Sequence, residues 1–410
     1  MGERRRLRLL LGAFGDPGHT FPIIALGRAL RARGHEVVVQ TWHHWQDDVE
    51  REGLGFAPAP EYRRPAQAAM QPYEAALHGT RDTTLPLLKS LRPHAVVADI
   101  LTLAPALSAE LQGVPWATLV PHVHPMSTAG SPPFSTGARL PRTAAGRGIW
   151  NAVSRATAQG LRRGRSELNE TRRRLGLPPL GHTHGGISRS LCLVASFPQL
   201  EYPRSWMEHE HVVGPLLWEP PSAEVAMPES GAPLVLIAPS TSKDRDHRLL
   251  RAALAGLRDA PVRVLATWNR RAPRRALPTA ANASVVEWMS YARTMPHADA
   301  VICHGGHGTV VRALSAGAPV IACPADGDMH ENAARVDWAG VGVRVPRLLT
   351  TPGGLRLAVA RVLSDGGIRD RAGALGAWAA AHDGATRAAE LVEGLATGGL
   401  TRAKKLANCG

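Results

Sequence analysis

Short, largely apolar runs recur along this chain, several of them followed by a turn and then by a stretch of helical period. The first is residues 7–11, followed by a glycine-containing loop at 12–18. A helical stretch follows at 21–33, with Leu26, Ala29 and Leu30 on one face, and Gly34 stops it. Val37-Val38-Val39 is the next apolar run. This is a strand–helix–strand unit, and repeated units of this kind require a parallel sheet with helices on both faces. Further strands are expected at 95–98, ending at Asp99, and at 116–120. Between about 121 and 190 the pattern weakens. Pro132, Pro133 and Pro141 mark a loop there, and the arginine-rich stretch 155–175 reads as a helix.

After residues 212–216 comes a Pro/Ser/Glu-rich stretch through Gly231, the best linker candidate in the chain. Then the alternation restarts. Strands are expected at 234–238, 262–266, 284–286, 300–303 and 320–323, with helices at about 246–258 and 309–316. A helix at about 369–397 closes the pattern, and 400–410 reads as a loose basic tail. With 410 residues the chain is too long for one ordinary domain and fits two in tandem. Two such domains leave a cleft, and ligands in open α/β sheets sit at the carboxyl ends of the strands.

The 48 basic residues outnumber the 34 acidic ones, for a net charge of +14. Only Lys89, Lys243, Lys404 and Lys405 are lysines. The arginines are spread along the chain, densest at Arg162, Arg163, Arg165 and at Arg172, Arg173, Arg174. A nucleic-acid binder would gather its cations on one face, so the expectation is a solvated surface with some attraction for anionic ligands or membrane. No run of about 18 apolar residues offers a spanning helix. The basic start has too short an apolar core for a signal peptide. Four cysteines (Cys192, Cys303, Cys323, Cys409) form no CxxC pair and fit a reducing cytoplasm.

The strongest local signal is His304-Gly305-Gly306-His307-Gly308-Thr309, between a strand and a helix. Glycines there let a backbone approach an anion, and the helix start offers free N–H groups and a partial positive charge to a phosphate. A tight turn with no ligand is the plain alternative. No Gly-Lys-Ser/Thr follows, so it is not a P-loop. Gly12, Gly15 and Gly18 have the wrong spacing for a dinucleotide loop, and the second strand ends at Gln40, not an acid. A nicotinamide enzyme is disfavoured.

Together with Gly18-His19-Thr20-Phe21-Pro22 and residues 324–332, this loop resembles the GT-B nucleotide-sugar glycosyltransferases. The likeness is to the bacterial antibiotic and macrolide type, related to the plant secondary-metabolite enzymes. It covers nearly all of 7–397. It implies two Rossmann-like domains facing across a cleft, with a C-terminal helix crossing back to the N-terminal one. The expected division is an acceptor-binding domain at 1–214, a linker at 215–231 and a nucleotide-sugar-binding domain at 232–375. A return helix at 376–397 and a flexible tail at 398–410 would follow.

Carried over by position, the resemblance makes His19 the general base that deprotonates the acceptor, and Asp99 the carboxylate that orients it. Such a base is needed because a hydroxyl is a weak nucleophile until its proton is removed. Trp288 matches the ring that stacks on the nucleotide base, with the Met289 backbone reading the base edge. Ser240 and Thr241 match small hydroxyl residues near the diphosphate, which His304, Gly305, Gly306, Gly308 and Thr309 contact. Asp328 and Met329 occupy the sugar-binding positions. Structural alternatives stand beside each: a loop histidine, a strand-end carboxylate, a core tryptophan, turn residues, helix caps at Glu331 and Asn332.

The chain departs from the family pattern at Ser290 (usually proline), at Met329 (often glutamine) and at Arg312 (often a ribose-binding acid). The last two losses point to a thymidine-diphosphate donor and a deoxysugar. Phe14, Phe56, Met70, His122, His124 and Trp150 are candidate acceptor-lining residues, each equally readable as core. His122/His124, His182/His184 and His209/His211 share a face in pairs, but no third ligand is spaced for a metal, and the family uses no catalytic metal.

The expectation is therefore a cytoplasmic, inverting, metal-independent hexosyltransferase. It would move a sugar from a TDP- or UDP-sugar to an apolar, hydroxyl-bearing or aromatic natural product, with no cofactor beyond that co-substrate. It would act as monomer or homodimer, without nucleic acid or integral membrane contact. Two rivals are a membrane-associated transferase acting on a lipid-linked acceptor and a non-catalytic auxiliary protein of the same fold.

Overall fold

Both halves of the chain build parallel sheets. The computed structural model describes residues 5–61, 72–182, 186–229, 231–240, 244 and 246–407, with the backbone alone at Pro72 and 399–407. The first sheet has seven strands in the order β3-β2-β1-β4-β5-β6-β7. These are β1 (Arg8–Gly12), β2 (Glu36–Thr41), β3 (Gly55–Pro58), β4 (Ala95–Asp99), β5 (Trp116–Val120), β6 (Cys192–Val194) and β7 (Glu210–Val212). The second has six, in the order β10-β9-β8-β11-β12-β13. They are β8 (Leu234–Ala238), β9 (Arg263–Thr267), β10 (Ala283–Val286), β11 (Ala300–Cys303), β12 (Val320–Ala322) and β13 (Gly342–Arg344). Every residue of β4, β8 and β11 is buried, as strands covered on both faces must be. The expected α/β architecture of two Rossmann-like units is borne out.

The helices follow the strands. They are α1 (Pro17–Ala32), α2 (Gln46–Arg51), α3 (Pro72–His78), α4 (Leu85–Leu91), α5 (Leu103–Leu111), α6 (Ala144–Arg174) and α7 (Arg248–Leu257). Then come α8 (Tyr291–Thr294), α9 (His307–Ser315), α10 (Met329–Ala339), α11 (Pro352–Ser364), α12 (Gly366–Ala381) and α13 (Gly384–Ala407). The single closing helix expected at 369–397 is two. The break falls at His382 and Asp383, where Asp383 Oδ1 accepts from the Ala385 N–H at 3.0 Å and restarts the helix. The helical backbone then continues to Ala407, through most of the segment read as a tail.

After that break the chain crosses back. Ala388, Ala389, Val392 and Ala396 of α13 are buried in the same core as Leu9, Leu11, Ile23 and Ile24. One polar clamp closes this contact. Arg33 grips Glu393 in a fork, Nε to Oε1 at 2.6 Å and Nη2 to Oε2 at 2.8 Å, and His35 Nε2 lies 2.7 Å from Oε1. His35 Nδ1 accepts from the Leu7 N–H, so Nε2 carries the proton and donates. Hydrogen bonding to Arg33, chiefly, holds the Glu393 carboxyl at about 2, against the opposing effect of burial. No helix among the described residues is long and apolar enough to cross a membrane.

Candidate active site

In each sheet the strand order reverses at one place. β1 lies between β2 and β4, and β8 lies between β9 and β11. The chain leaves such neighbouring strands in opposite directions, which opens a crevice at their carboxyl ends. His19 stands in the helix that follows β1 and Asp99 ends β4, while the loops after β8 and β11 carry Ser240 and His304.

His19 is in the first turn of α1. Its Nδ1 lies 2.9 Å from Asp99 Oδ1, so Nδ1–H donates to the carboxylate and Nε2 keeps its lone pair. The loop between them is strapped at both ends. The Phe14 N–H donates to Asp99 Oδ2 at 3.1 Å, and the Phe14 carbonyl accepts from Thr20 Oγ1 at 2.9 Å. Gly15 is required here, because a Cβ would meet the Trp42 ring at 1.9 Å. Asp99 itself is buried. Burial alone would lower the His19 pKa, but the charge and hydrogen bond of Asp99 outweigh it, aided by Asp16 and Asp328, and the net shift is upward.

The acceptor candidates separate. Phe14 packs edge-on to His19 at 5.9 Å and to Trp42 at 4.9 Å. His122 stands edge-on to His19 at 6.5 Å and stacks on Phe134 at 5.3 Å. Its Nδ1–H donates to the Val123 carbonyl at 2.7 Å. Burial, first, and the charge of His19 lower its pKa, so it is neutral where His19 takes a proton. His124 turns the other way, within 3.2 Å of Glu210 and 2.7 Å of Arg204. Phe56 packs on the first core beside His43. Trp150 is half-buried on α6, and nothing brings either ring to His19. Met70 and Thr241 lie outside the described residues.

Across the crevice, α9 begins at His307 with Gly306 as its N-cap and no side-chain cap. Gly305 has φ +80°, and a Cβ there would sit 3.0 Å from the Met329 carbonyl, so the loop can only be built with glycine. Asn332 of α10 holds it from behind, its Nδ2 donating to the Gly305 carbonyl at 2.9 Å. Neither Asn332 nor Glu331 caps a helix; Glu331 pairs with Arg335 at 2.9 Å. His304 lies half-buried with Nδ1–H towards the Ala238 carbonyl at 3.4 Å, and burial lowers its pKa. Asp328 N-caps α10 without using its carboxylate on that helix. Its charge reaches His19, whose pKa is raised, and also His122, His304 and His307, where it opposes the larger lowering by burial. Met329 is buried beneath it.

On the far side Ser240 is buried after β8, and Trp288 is half-buried after β10 with the Arg270 guanidinium 4.6 Å over its ring. The Met289 side chain is core. Among the described residues no three His, Cys, Asp or Glu side chains are grouped to hold a metal ion.

Residues 251–395 match the family model described as the erythromycin biosynthesis protein CIII-like C-terminal domain. The chain is 29% identical over 424 residues to 4'-demethylrebeccamycin synthase of Lentzea aerocolonigenes, covering 95% of this chain and 99% of that one. It is also 29% identical to O-mycaminosyltylonolide 6-deoxyallosyltransferase of Streptomyces fradiae, over 94% and 97% of the two chains. Among solved structures, the kitacinnamycin glycotransferase superposes with a TM-score of 0.78 at 21% identity, over 95% and 99%. The Streptomyces sp. SF2575 glycosyltransferase SsfS6, complexed with thymidine diphosphate, gives 0.64 at 22%, over 95% and 99%. The chain therefore has the GT-B fold of these glycosyltransferases over nearly its whole length.

Two of the departures from the expected pattern have visible partners. Arg312, where an acid was expected, lies 3.5 Å from Glu219 Oε2 and donates to the Trp218 carbonyl at 2.7 Å. Ser290, where proline was expected, donates to Glu219 Oε1. Sequence reasoning did not single out Phe134, Arg270 or Glu219. One signal was legible: Glu219 follows a buried tryptophan in the segment assigned to a linker. Phe134 lies in a proline-rich loop with no period to read. Arg270 sits in a turn where Asn269 and Arg270 both take left-handed backbone, φ 53° and 59°.

Proposed function

We propose that this chain is a glycosyltransferase that moves a sugar from a nucleoside diphosphate to an apolar, hydroxyl-bearing or aromatic natural product by a single inverting displacement. The observation that carries the reading is the pairing of a carboxylate-held imidazole, His19, with an uncapped helix start, α9, on opposite walls of one crevice. His19 Nε2 takes the proton of the acceptor nucleophile. Asp99 stabilises the imidazolium that forms. The acceptor oxygen attacks the anomeric carbon, and the bond to the diphosphate breaks. The charge left on the diphosphate faces the N–H groups at the start of α9. His304 is neutral at rest, and a diphosphate beside it would restore its proton, so that Nε2–H donates. No resident cofactor is assigned a step. Asp328 and the Met289 backbone take the sugar and base positions.

Thymidine diphosphate is the favoured carrier. The side chains at 312 and 329 cannot accept from hydroxyls as an acid or a glutamine would, and Arg312 is already committed. SsfS6 was solved with that nucleotide. Thermal shift is the test. A ligand that binds only the native state raises the melting temperature, so TDP should do so, NAD should not, and EDTA should leave the shift unchanged. Turnover with UDP-glucose far above any TDP-sugar would overturn the carrier assignment. No shift with any nucleotide would overturn the donor site.

A second reading, transfer to a lipid-linked acceptor at a membrane surface, is favoured by one observation. Ile149 and Val153, one turn apart on α6, are exposed to solvent, and Arg147, Arg155, Arg162 and Arg163 are exposed on the same helix. Co-sedimentation with anionic but not neutral liposomes would support it.

A further inference from the structure

The segment that joins the two sheets is threaded so that successive side chains go to opposite sides. Leu216 and Trp218 are buried in the core under β1. Leu217, between them, packs on the core of the second sheet. The Trp218 ring meets Phe21 of α1 at 5.1 Å, and its indole N–H donates to Glu52 Oε1 at 2.7 Å. Phe21 is two residues from His19. The next residue, Glu219, belongs wholly to the other side. Its Oε1 accepts from the Ser290 hydroxyl and from the Ala292 N–H at 3.3 Å. Its Oε2 faces Arg312 of α9 at 3.5 Å, and Arg312 returns a hydrogen bond to the Trp218 carbonyl at 2.7 Å. The Glu219 and Arg312 side chains are 16% and 11% exposed.

We propose that Glu219 is a positioning residue that ties the base-reading segment 288–292 and α9, through Arg312 in its last turn, to the helix that carries the catalytic base. Two adjacent residues, Trp218 and Glu219, are anchored in opposite domains, so there is almost no slack between the anchors. Glu219 has both carboxylate oxygens engaged within the protein and is not itself a ligand. Both of its side-chain partners, Ser290 and Arg312, stand where the family pattern has something else. An oriented carboxylate holding a hydroxyl, a backbone N–H and a guanidinium fixes the joining segment, the start of α8 and α9 relative to one another better than any one contact does.

This inference rests on the reading of Trp288 and α9 as the nucleotide site. The test uses the full chain, with TDP as the probe for affinity and steady-state kinetics with the working donor. Glu219→Ala should weaken TDP about tenfold, raise the donor KM and lower kcat, and leave the acceptor KM unchanged. Glu219→Gln keeps the acceptor for Ser290 and Ala292 and should recover part of the loss. Ser290→Ala should weaken TDP less, and the double variant should show no more than the Glu219→Ala loss, because the two act through one contact. Wild-type affinity and kcat in a folded Glu219→Ala protein would overturn the proposal, as would equal losses in donor and acceptor parameters. If Glu219→Ala does not fold, strictly additive effects of Glu219→Gln and Ser290→Ala overturn it. A wild-type protein that binds no nucleotide would remove the donor-site reading and this inference with it. A wild-type protein that binds TDP, beside a variant that binds it as well, would remove only the inference.

Discussion

His19 can accept a proton only while neutral, so its raised pKa sets the acidic limb of activity. The limb in kcat/KM should lie above the ordinary imidazole value of 6.5. Asp99→Asn removes the charge that outweighs burial, and desolvation then pulls the limb below its wild-type position. A pH–rate profile of the two proteins checks the sign, and a limb that moves up would break the dyad assignment. His19→Ala should cost about 10²- to 10⁴-fold in kcat, the usual worth of a general base, with TDP affinity intact by calorimetry. At this scale the sequence was informative for motif residues and poor for lining residues. His122 and His124 look alike two positions apart. Only the packing shows that one faces His19 while the other is folded into a cluster with Glu201, Glu210 and Arg204.

Elements carry their own predictions. Gly305→Ala places a side chain in left-handed backbone against the Met329 carbonyl. It should cost about 1–3 kcal/mol of stability from backbone strain and weaken TDP more than it lowers the melting temperature of the free protein, since the loop presents the helix start. Glu393→Gln cuts the clamp between α1 and α13. The Glu393 carboxyl lies below its unfolded value, so its contribution is present above about 4.5 and fades as the pH falls towards about 2. At neutral pH the substitution should cost on the order of 2 kcal/mol, read as a lower chemical-denaturation midpoint. Near pH 3 the difference should shrink.

Elements were also where the sequence was read best. The strands at Trp116–Val120, Leu234–Ala238 and Ala300–Cys303 have the bounds expected of them, because central parallel strands are unbroken apolar runs. β3, β6 and β13 were not anticipated. They are three or four residues long, and such runs show no period. The N-terminal part of α6, from Ala144, buries almost nothing, so it leaves no apolar stripe to read.

Across the whole molecule, His307 of α9 reaches over to the first domain, its Nε2–H donating to the Ala195 carbonyl at 3.2 Å. Arg335 of α10 does the same to the Leu200 carbonyl at 3.0 Å. Burial, above all, lowers the His307 pKa to about 4. The unfolded chain therefore binds a proton between pH 6.5 and 4 that the folded chain excludes. Stability falls as the pH drops through that window, by on the order of 3 kcal/mol for this one group. His307→Asn should flatten the slope of melting temperature against pH between 6.5 and 4. An unchanged slope would show that the interdomain contact does not depend on a neutral imidazole.

The sequence by itself determined the two parallel sheets, their order along the chain and the glycine-built turn before α9, while His19 and Asp99 were picked out by the family resemblance. The first three depend on local rules: apolar runs for covered strands, and glycine where a Cβ has no room. The tertiary structure alone decided what faces what. It turned His122 to the base and His124 away, gave Arg312 to Glu219, and placed the Arg270 guanidinium over Trp288. Side chains such as these meet through long-range packing. Their partners lie tens to hundreds of residues away, and no spacing in the chain encodes those distances.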